Sequence, residues 1–162
     1  MEFTRDQTEA IQTFIRFDKA DSQRRCFVLK GYAGTGKTTL ISYIVLNFIQ
    51  QKRKLKLIAP TGRAAKVLSS YSGKHALTIH KKIYFPKAVS GGSGIQFSLK
   101  ENKHTNTVFI VDESSMIGDD RQQSKLFENG SLLHDLIHFV DNGENCKLIF
   151  VGDTAQLPPV HL

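Results

Sequence analysis

Residues Gly31-Tyr-Ala-Gly-Thr-Gly-Lys37-Thr38 follow the apolar run Cys26-Phe-Val-Leu29 and match the pattern GxxxxGK[ST]. Glycines at this spacing let successive backbone NH groups converge on phosphate oxygens without side-chain clash. The loop also leads into a helix, whose N-terminal dipole favours negative charge. The stretch therefore predicts a strand, a phosphate-binding loop and a helix in succession, and it predicts that the chain binds a nucleoside triphosphate.

Two side chains of this loop have expected roles in chemistry. The Lys37 ammonium would reach the β- and γ-phosphates as a point charge, and the Thr38 hydroxyl would coordinate Mg²⁺. The alternative is a glycine turn that matches the pattern by chance. It is disfavoured because the apolar run before the loop and the amphipathic segment after it both have the required form.

The composition is typical of one ordinary domain, which we expect to span residues 1–162. Of the residues, 40% are hydrophobic, enough for a single core, and 22 Lys and Arg against 15 Asp and Glu give a net charge of +7. This charge favours polyanionic partners without proving nucleic-acid binding. Cys26 and Cys146 each begin an apolar run and are predicted to be reduced core thiols. We expect a cytoplasmic location and no membrane segment.

Four short apolar runs predict strands that are buried on both faces. These are Cys26 to Leu29, Leu55 to Ala59, Val108 to Val111 and Leu148 to Val151. Helical patterns lie between them, and strands that alternate with helices pair in parallel through right-handed crossovers. The predicted fold class is therefore α/β, with a mostly parallel sheet between two layers of helices.

Residues 85–99 interrupt this alternation. The segment Gly91-Gly-Ser-Gly94 is followed by the alternating Ile95-Gln-Phe-Ser-Leu99, which predicts a small hairpin with a glycine turn, inserted into the domain. Further along, a helical stripe is predicted to face the core and to leave His134, Asp135 and His138 on the solvated side. The stripe consists of Leu132, Leu133, Leu136, Ile137 and Val140.

Two acidic residues, Asp112 and Glu113, come directly after the predicted strand Val108 to Val111. Open α/β sheets bind their ligands at the carboxyl ends of the strands, so both acids should face the phosphate loop. We assign Asp112 to the metal and Glu113 to the general base that polarises the attacking water. An acidic strand end that only solvates a loop is the alternative.

Two glutamines are further candidates. Gln156 lies in Val151-Gly-Asp-Thr-Ala-Gln-Leu-Pro-Pro159, where polar groups again follow an apolar strand, and it could bond a γ-phosphate or the attacking water. Gln7 belongs to Thr4-Arg-Asp-Gln7, which also fits a helical capping box. From the residues alone, capping is the better interpretation of Gln7.

Six segments in order resemble the first RecA-like domain of superfamily 1 helicases, most closely the RecD-like branch that moves 5′ to 3′ on single-stranded DNA. The resemblance covers nearly the whole chain. The segments are Phe3 to Gln7 (the Q motif), Gly31 to Thr39 (motif I), Ala59 to Ala65 (motif Ia), Thr78 to His80 (the next DNA-contacting motif), Val111 to Ile117 (motif II) and Val151 to Val160 (motif III).

The resemblance implies roles for particular residues. Gln7 becomes a contact to adenine, while Thr4 stays the helix cap. Residues of motif I that would hold ATP are Gly34, Thr35, Gly36, Lys37, Thr38 and Thr39. Residues that would contact the DNA are Pro60, Thr61, Gly62, Arg63, Thr78 and His80, which fits a helix N-terminus offering NH groups and a cation to phosphate. Catalytic roles would belong to Lys37, Glu113 and Gln156, and Mg²⁺ to Thr38 and Asp112.

The same resemblance implies partners and an activity. We expect single-stranded DNA as a partner, a nucleoid-associated location, and a second RecA-like domain, because the sequence stops at Leu162 after motif III. The fragment should then bind ATP without unwinding DNA. A P-loop phosphotransferase, a nucleotide-dependent binding module without catalysis, and a RecD-type subunit of an exodeoxyribonuclease complex are the alternatives. The hairpin occupies the position of the family's strand-separating pin, although it is short and glycine-rich.

Overall fold

The computed structural model of the chain describes residues 2–20, 25–88, 95–118, 127 and 129–153. Its main feature is a five-stranded sheet in which every neighbouring pair of strands is parallel. A separate two-stranded sheet is antiparallel. None of the helices in the described part of the chain is long and apolar enough to cross a bilayer.

The elements follow one another along the chain as strands separated by helices. They are α1 (Arg5–Lys19), β1 (Cys26–Lys30), α2 (Lys37–Gln50), β2 (Lys54–Ala59), α3 (Gly62–Ser72), β3 (Ala76–Thr78), α4 (Ile79–Ile83), β4 (Tyr84–Ala88), β5 (Ile95–Leu99), β6 (Thr107–Val111), a 3₁₀ turn (Ser114–Met116), α5 (Leu132–Asp141) and β7 (Lys147–Gly152). The order in the main sheet is β1-β7-β6-β2-β3.

Two hydrophobic clusters cover the two faces of the main sheet. Successive residues of β6 point to opposite faces and so belong to different clusters. Ile110 packs with residues of α1, α2 and α3, namely Phe14, Ile41 and Leu68. Phe109 packs on the opposite face with residues of α4 and α5. All of β6 and β7 is buried. The three-layer α/β fold predicted from the sequence is therefore confirmed, and it is a RecA-like arrangement.

The edge strand β3 and the short helix α4 were not predicted. The strand has three residues, too few for a periodic pattern, and it pairs with Leu57–Ala59 at the carboxyl end of β2. It becomes possible because Gly73 ends α3 in the left-handed conformation, with φ of 67°. The chain thus returns to the sheet after only a few residues.

The antiparallel pair of β4 and β5 confirms the predicted hairpin insertion. Pairing begins at Tyr84 with Leu99 and ends at Ala88 with Ile95, while the predicted glycine turn lies outside the described residues. At its base the rings of Tyr84 and Phe97 are 5.4 Å apart, and the His80 ring lies within 5.7 Å of both. Aromatic packing therefore attaches the hairpin to the domain.

The prediction that Asp135 is solvated was wrong. Its side chain is completely buried on α5, where one carboxylate oxygen accepts a hydrogen bond of 2.5 Å from the Tyr84 hydroxyl. The other accepts from the backbone and side-chain nitrogens of Asn129, at 2.7 and 2.8 Å. A buried carboxylate with several donors replaces the predicted exposed one, and it ties α5 to the first residue of the hairpin.

Candidate nucleotide site

The predicted phosphate loop lies between β1 and α2, as the sequence pattern requires. Gly34 and Gly36 have φ of 80° and 84°, in the left-handed region that other residues rarely adopt. The loop is joined to the sheet by a hydrogen bond from the Gly31 nitrogen to the Gly152 oxygen of β7, 3.2 Å long. Helix α2 begins at Lys37 directly afterwards, with Gly36 as its N-cap.

The side chain of Lys37 lies back over the loop. Its ammonium group donates to the backbone oxygens of Gly31 and Tyr32, at 2.5 and 2.9 Å. The stem is flexible and the bonds are to loop carbonyls, so a short rotation would bring the ammonium to a phosphate bound on the loop. The Thr38 side chain is exposed in the first turn of α2.

Gln7 makes the capping box and also contacts the phosphate loop. Its side-chain oxygen accepts from the Thr4 nitrogen at 3.0 Å, and the Thr4 hydroxyl accepts from the Gln7 nitrogen. In addition, Gln7 Nε2 donates to the Thr35 oxygen at 3.1 Å. The amide thus connects α1 to the loop, and its contact with adenine stays a prediction.

Asp112 lies at the carboxyl end of β6, where its carboxylate is held by two donors. The Tyr71 hydroxyl donates to Asp112 Oδ2 at 2.6 Å, and the Glu113 backbone nitrogen donates to Oδ1 at 2.9 Å. Glu113 itself is exposed and has φ of 52°. The left-handed backbone at Glu113 ends the strand and opens the 3₁₀ turn.

Sequence reasoning did not find Tyr71. It lies in the last turn of α3, outside every motif, and burial together with the hydrogen bond to Asp112 raises the pKa of its hydroxyl. That hydroxyl therefore stays protonated, and it is the donor in the hydrogen bond to Asp112. No local signal in the sequence places a tyrosine next to a carboxylate 41 positions later.

The oxygen donors at this edge fit a magnesium ion. A hard cation prefers carboxylate, hydroxyl and water oxygens, and the chain offers Thr38 and Asp112. Each oxygen of the Asp112 carboxylate accepts one hydrogen bond and has a second lone pair left. The carboxylate can therefore accept from metal-bound water while keeping its two protein donors.

Two of the predicted DNA-contacting residues of motif Ia, Thr61 and Arg63, line a cleft together with the two acids. The Thr61 hydroxyl caps α3 by accepting from the Ala64 nitrogen at 3.1 Å, next to Pro60 and the exposed Gly62. Arg63 is exposed and forms no ion pair with any residue that the structure describes. The cleft has a volume of about 260 Å³ and is lined by Thr61, Arg63, Ala64, Val67, Asp112, Glu113 and Met116.

The other predicted contacts are placed differently. The Thr78 hydroxyl caps α4 by accepting from the Lys81 nitrogen, and the His80 ring packs against the aromatic side chains at the hairpin base. Burial lowers the pKa of His80, so the ring is held neutral. Gln156 lies outside the described residues.

A parallel sheet of order β1-β7-β6-β2-β3, with a glycine loop after β1 and an acid after β6, defines a RecA-like P-loop domain. In agreement, the model of the family AAA_19, an AAA domain, matches residues 12–162, and the chain belongs to this family. Relatives named as helicases or as a RecD subunit support the resemblance of this domain to the N-terminal RecA-like domain of superfamily 1, RecD-like helicases.

Three relatives illustrate the relationship. The chain is similar to the ATP-dependent RecD2 DNA helicase of Deinococcus radiodurans, with 33% identity over 84% of this chain and 16% of the relative. The ATP-dependent DNA helicase dda of Enterobacteria phage T4 is 36% identical, over 82% of this chain and 28% of the relative. The RecBCD enzyme subunit RecD of Buchnera aphidicola (subsp. Schizaphis graminum) is 30% identical, over 82% of this chain and 23% of the relative. The chain thus spans less than a third of each of these proteins.

Proposed function

We propose that the chain is the ATP-binding motor domain of a DNA helicase that couples ATP hydrolysis to 5′-to-3′ movement along single-stranded DNA. The observation that supports this best is the shared cleft, in which Asp112 and Glu113 lie beside Thr61 and Arg63. A nucleotide on the phosphate loop and a strand on motif Ia would then lie at adjoining positions on one sheet edge.

In this proposal the phosphate loop holds the triphosphate of ATP. The backbone from Gly34 to Thr39 surrounds the phosphates, Lys37 neutralises the β- and γ-oxygens, and Gln7 reads the adenine. Gln7 Nε2 donates one of its two hydrogens to the Thr35 oxygen, which leaves the other for the base. A bound Mg²⁺, held by Thr38 and by Asp112 through water, would supply positive charge for the γ-phosphate.

The proton chemistry is assigned to Glu113. Its carboxylate, exposed beside the cleft, would accept the proton of the water that attacks the γ-phosphate. Lys37 would stabilise the charge that develops on the leaving oxygens. Gln156, by analogy with motif III, would bond the γ-phosphate or the attacking water and so report whether that phosphate is present.

The DNA backbone is proposed to lie across the start of α3. The first turn of a helix offers free NH groups to an anion, here after Pro60 and Thr61, and Arg63 adds an exposed cation. Thr78 and His80 are weaker candidates, because both side chains already serve α4 and the hairpin base.

We further propose that residues 1–162 form one motor domain and that turnover needs a second RecA-like domain. An arginine supplied from a partner domain accelerates P-loop hydrolysis by roughly 10³ to 10⁵, because it neutralises charge that develops only in the transition state. The 162-residue chain alone should therefore bind ATP, hydrolyse it at a near-background rate, and leave a tailed duplex intact. Robust hydrolysis stimulated by single-stranded DNA would contradict this.

The DNA contact can be tested separately from the nucleotide site. The affinity of the chain for a single-stranded oligonucleotide should fall steeply as the salt concentration rises. Arg63→Ala should lower this affinity and should also reduce the slope of log affinity against log salt concentration by about one released ion. Lys19→Ala, which removes the same charge from the exposed end of α1, is the matched control. Equal slopes in both variants would remove Arg63 from the DNA site.

A second candidate comes from two of the relatives, which are named RecBCD enzyme subunit RecD. By analogy the chain would then be the motor domain of a RecD-type subunit in an exodeoxyribonuclease complex. Co-purification of the full native protein with partner subunits and nuclease activity would favour this candidate. A nucleotide-dependent binding module without catalysis would instead bind ATP and DNA with no hydrolysis even in the full protein.

A further inference from the structure

The Asp112 carboxylate is oriented from outside its own strand. One donor is the neighbouring Glu113 backbone nitrogen, which any residue other than proline would provide at that position. The other is the hydroxyl of Tyr71 on α3, only 2.6 Å from Asp112 Oδ2. The second donor is therefore specific to the side chain at position 71.

The same turn of α3 also contacts α2, the helix that follows the phosphate loop. The Ser42 hydroxyl is 3.3 Å from the Tyr71 backbone oxygen and 3.0 Å from the Thr38 backbone oxygen. The last turn of α3 thus lies between Asp112 and the first turn of α2. These are the two places from which the proposed metal ligands come.

The opposite end of α3 carries the proposed DNA contacts. The helix starts at Gly62, between Thr61 and Arg63, and ends at Ser72. Eleven residues of α-helix span roughly 16 Å and move as one body. A small displacement of the first turn by a bound strand would therefore also displace Tyr71.

We propose that Tyr71 is a positioning residue that holds Asp112 in place for the metal ion and links the DNA-contacting end of α3 to the nucleotide site. The inference rests on the function proposed above. Because coupling between two sites is reciprocal, DNA should change the affinity for Mg·nucleotide by the same factor by which Mg·nucleotide changes the affinity for DNA.

The Tyr71 hydroxyl is suited to this role. It is partly buried and donates to Asp112 Oδ2 over only 2.6 Å, so the donor is held against the carboxylate. A hydrogen bond to a charged acceptor changes an equilibrium by about tenfold or more. We therefore expect loss of the hydroxyl to weaken the contribution of Mg²⁺ to nucleotide binding by about tenfold.

Calorimetric titration of the chain with a non-hydrolysable ATP analogue, once in Mg²⁺ and once in EDTA, tests the positioning role. In EDTA, Tyr71→Phe should bind the analogue with the wild-type affinity. In Mg²⁺, the increase in affinity over the EDTA value should be about tenfold smaller in Tyr71→Phe than in the wild-type chain. Tyr43→Phe is the control: it also removes a tyrosine hydroxyl, but from a ring on α2 that packs against Phe3, and it should change neither affinity. A full Mg²⁺ gain in Tyr71→Phe would overturn the inference. A wild-type chain that binds no analogue would overturn the proposed function as well.

Two further measurements separate positioning from packing. In urea unfolding of the nucleotide-free chain, Tyr71→Phe and Asp112→Asn should be non-additive, because both remove the same bond; additive effects would show that the bond contributes nothing. A saturating single-stranded oligonucleotide should change the Mg·analogue affinity at least about threefold in the wild-type chain and leave it unchanged in Tyr71→Phe. An equal change in both proteins, or none in the wild type, would refute the link to DNA.

Discussion

Replacing Gly36 with alanine should destabilise the chain by about 2 to 3 kcal/mol, from two sources. The residue has φ of 84°, and a side chain in the left-handed region costs about 1 to 2 kcal/mol. The added Cβ would also collide with Gln7 Nε2, so the bond from Gln7 to the Thr35 oxygen must break. That loss adds about 1 kcal/mol.

Gly34→Ala separates the two sources. Gly34 has nearly the same backbone conformation, with φ of 80°, but among the described residues other than its chain neighbours a Cβ there would meet no heavy atom within 4 Å. It should therefore show only the backbone cost, about 1 to 2 kcal/mol. The difference between the two variants measures how strongly Gln7 holds α1 against the phosphate loop.

Urea unfolding followed by circular dichroism gives both free energies. Gly36→Ala should be less stable than Gly34→Ala by about 1 kcal/mol, and this difference should vanish when Gln7→Ala is added to both. Equal stabilities of the two single variants would refute the structural role of Gln7 at the loop.

Three further outcomes are expected. Glu113→Gln should bind ATP normally and lose the slow residual hydrolysis of the chain in single-turnover assays, because an amide cannot accept the proton of water; a wild-type rate would reassign the base. Asp135→Ala should lower the unfolding free energy in urea by about 3 kcal/mol, since it removes the buried carboxylate that accepts from the Tyr84 hydroxyl and from Asn129, and a loss below about 1 kcal/mol would be inconsistent with this. The pKa of His104 is lowered by burial and, to a smaller extent, by the Lys82 ammonium 2.6 Å away. The contribution of His104 to stability is therefore complete above the unfolded pKa of 6.5 and declines as pH falls below that value. In NMR titration Lys82→Met should raise the His104 pKa, and an unchanged value would contradict the pairing.

Composition and periodicity were sufficient for the central strands. The predicted run Val108 to Val111 is found as Thr107–Val111, because a strand buried on both faces is mostly apolar and therefore appears in the sequence as a continuous apolar run. The edge strand β3 was missed, since a three-residue strand is specified by its pairing with β2 rather than by its own pattern.

Local spacing could place the phosphate loop but not its supports. Gly34 and Gly36 were predictable because only glycine adopts their backbone conformation easily. Tyr71 and Asp135 were not, since each acts through a partner far away in the sequence, Asp112 for the one and Tyr84 for the other. Such contacts depend on how the helices pack on the sheet, which a one-dimensional pattern does not contain.

Calorimetric titration of the 162-residue chain with Mg²⁺ and a non-hydrolysable ATP analogue is the most direct test of the claim that this chain is a nucleotide-binding motor domain. The wild-type chain should bind one analogue saturably. Lys37→Ala should keep its circular dichroism spectrum, because the Lys37 ammonium donates to the loop carbonyls of Gly31 and Tyr32 and not to the core. It should lose about 100-fold or more in affinity, because Lys37 would be the main cation on the phosphates. Equal affinities of the two proteins, or no binding by the wild-type chain, would contradict the account.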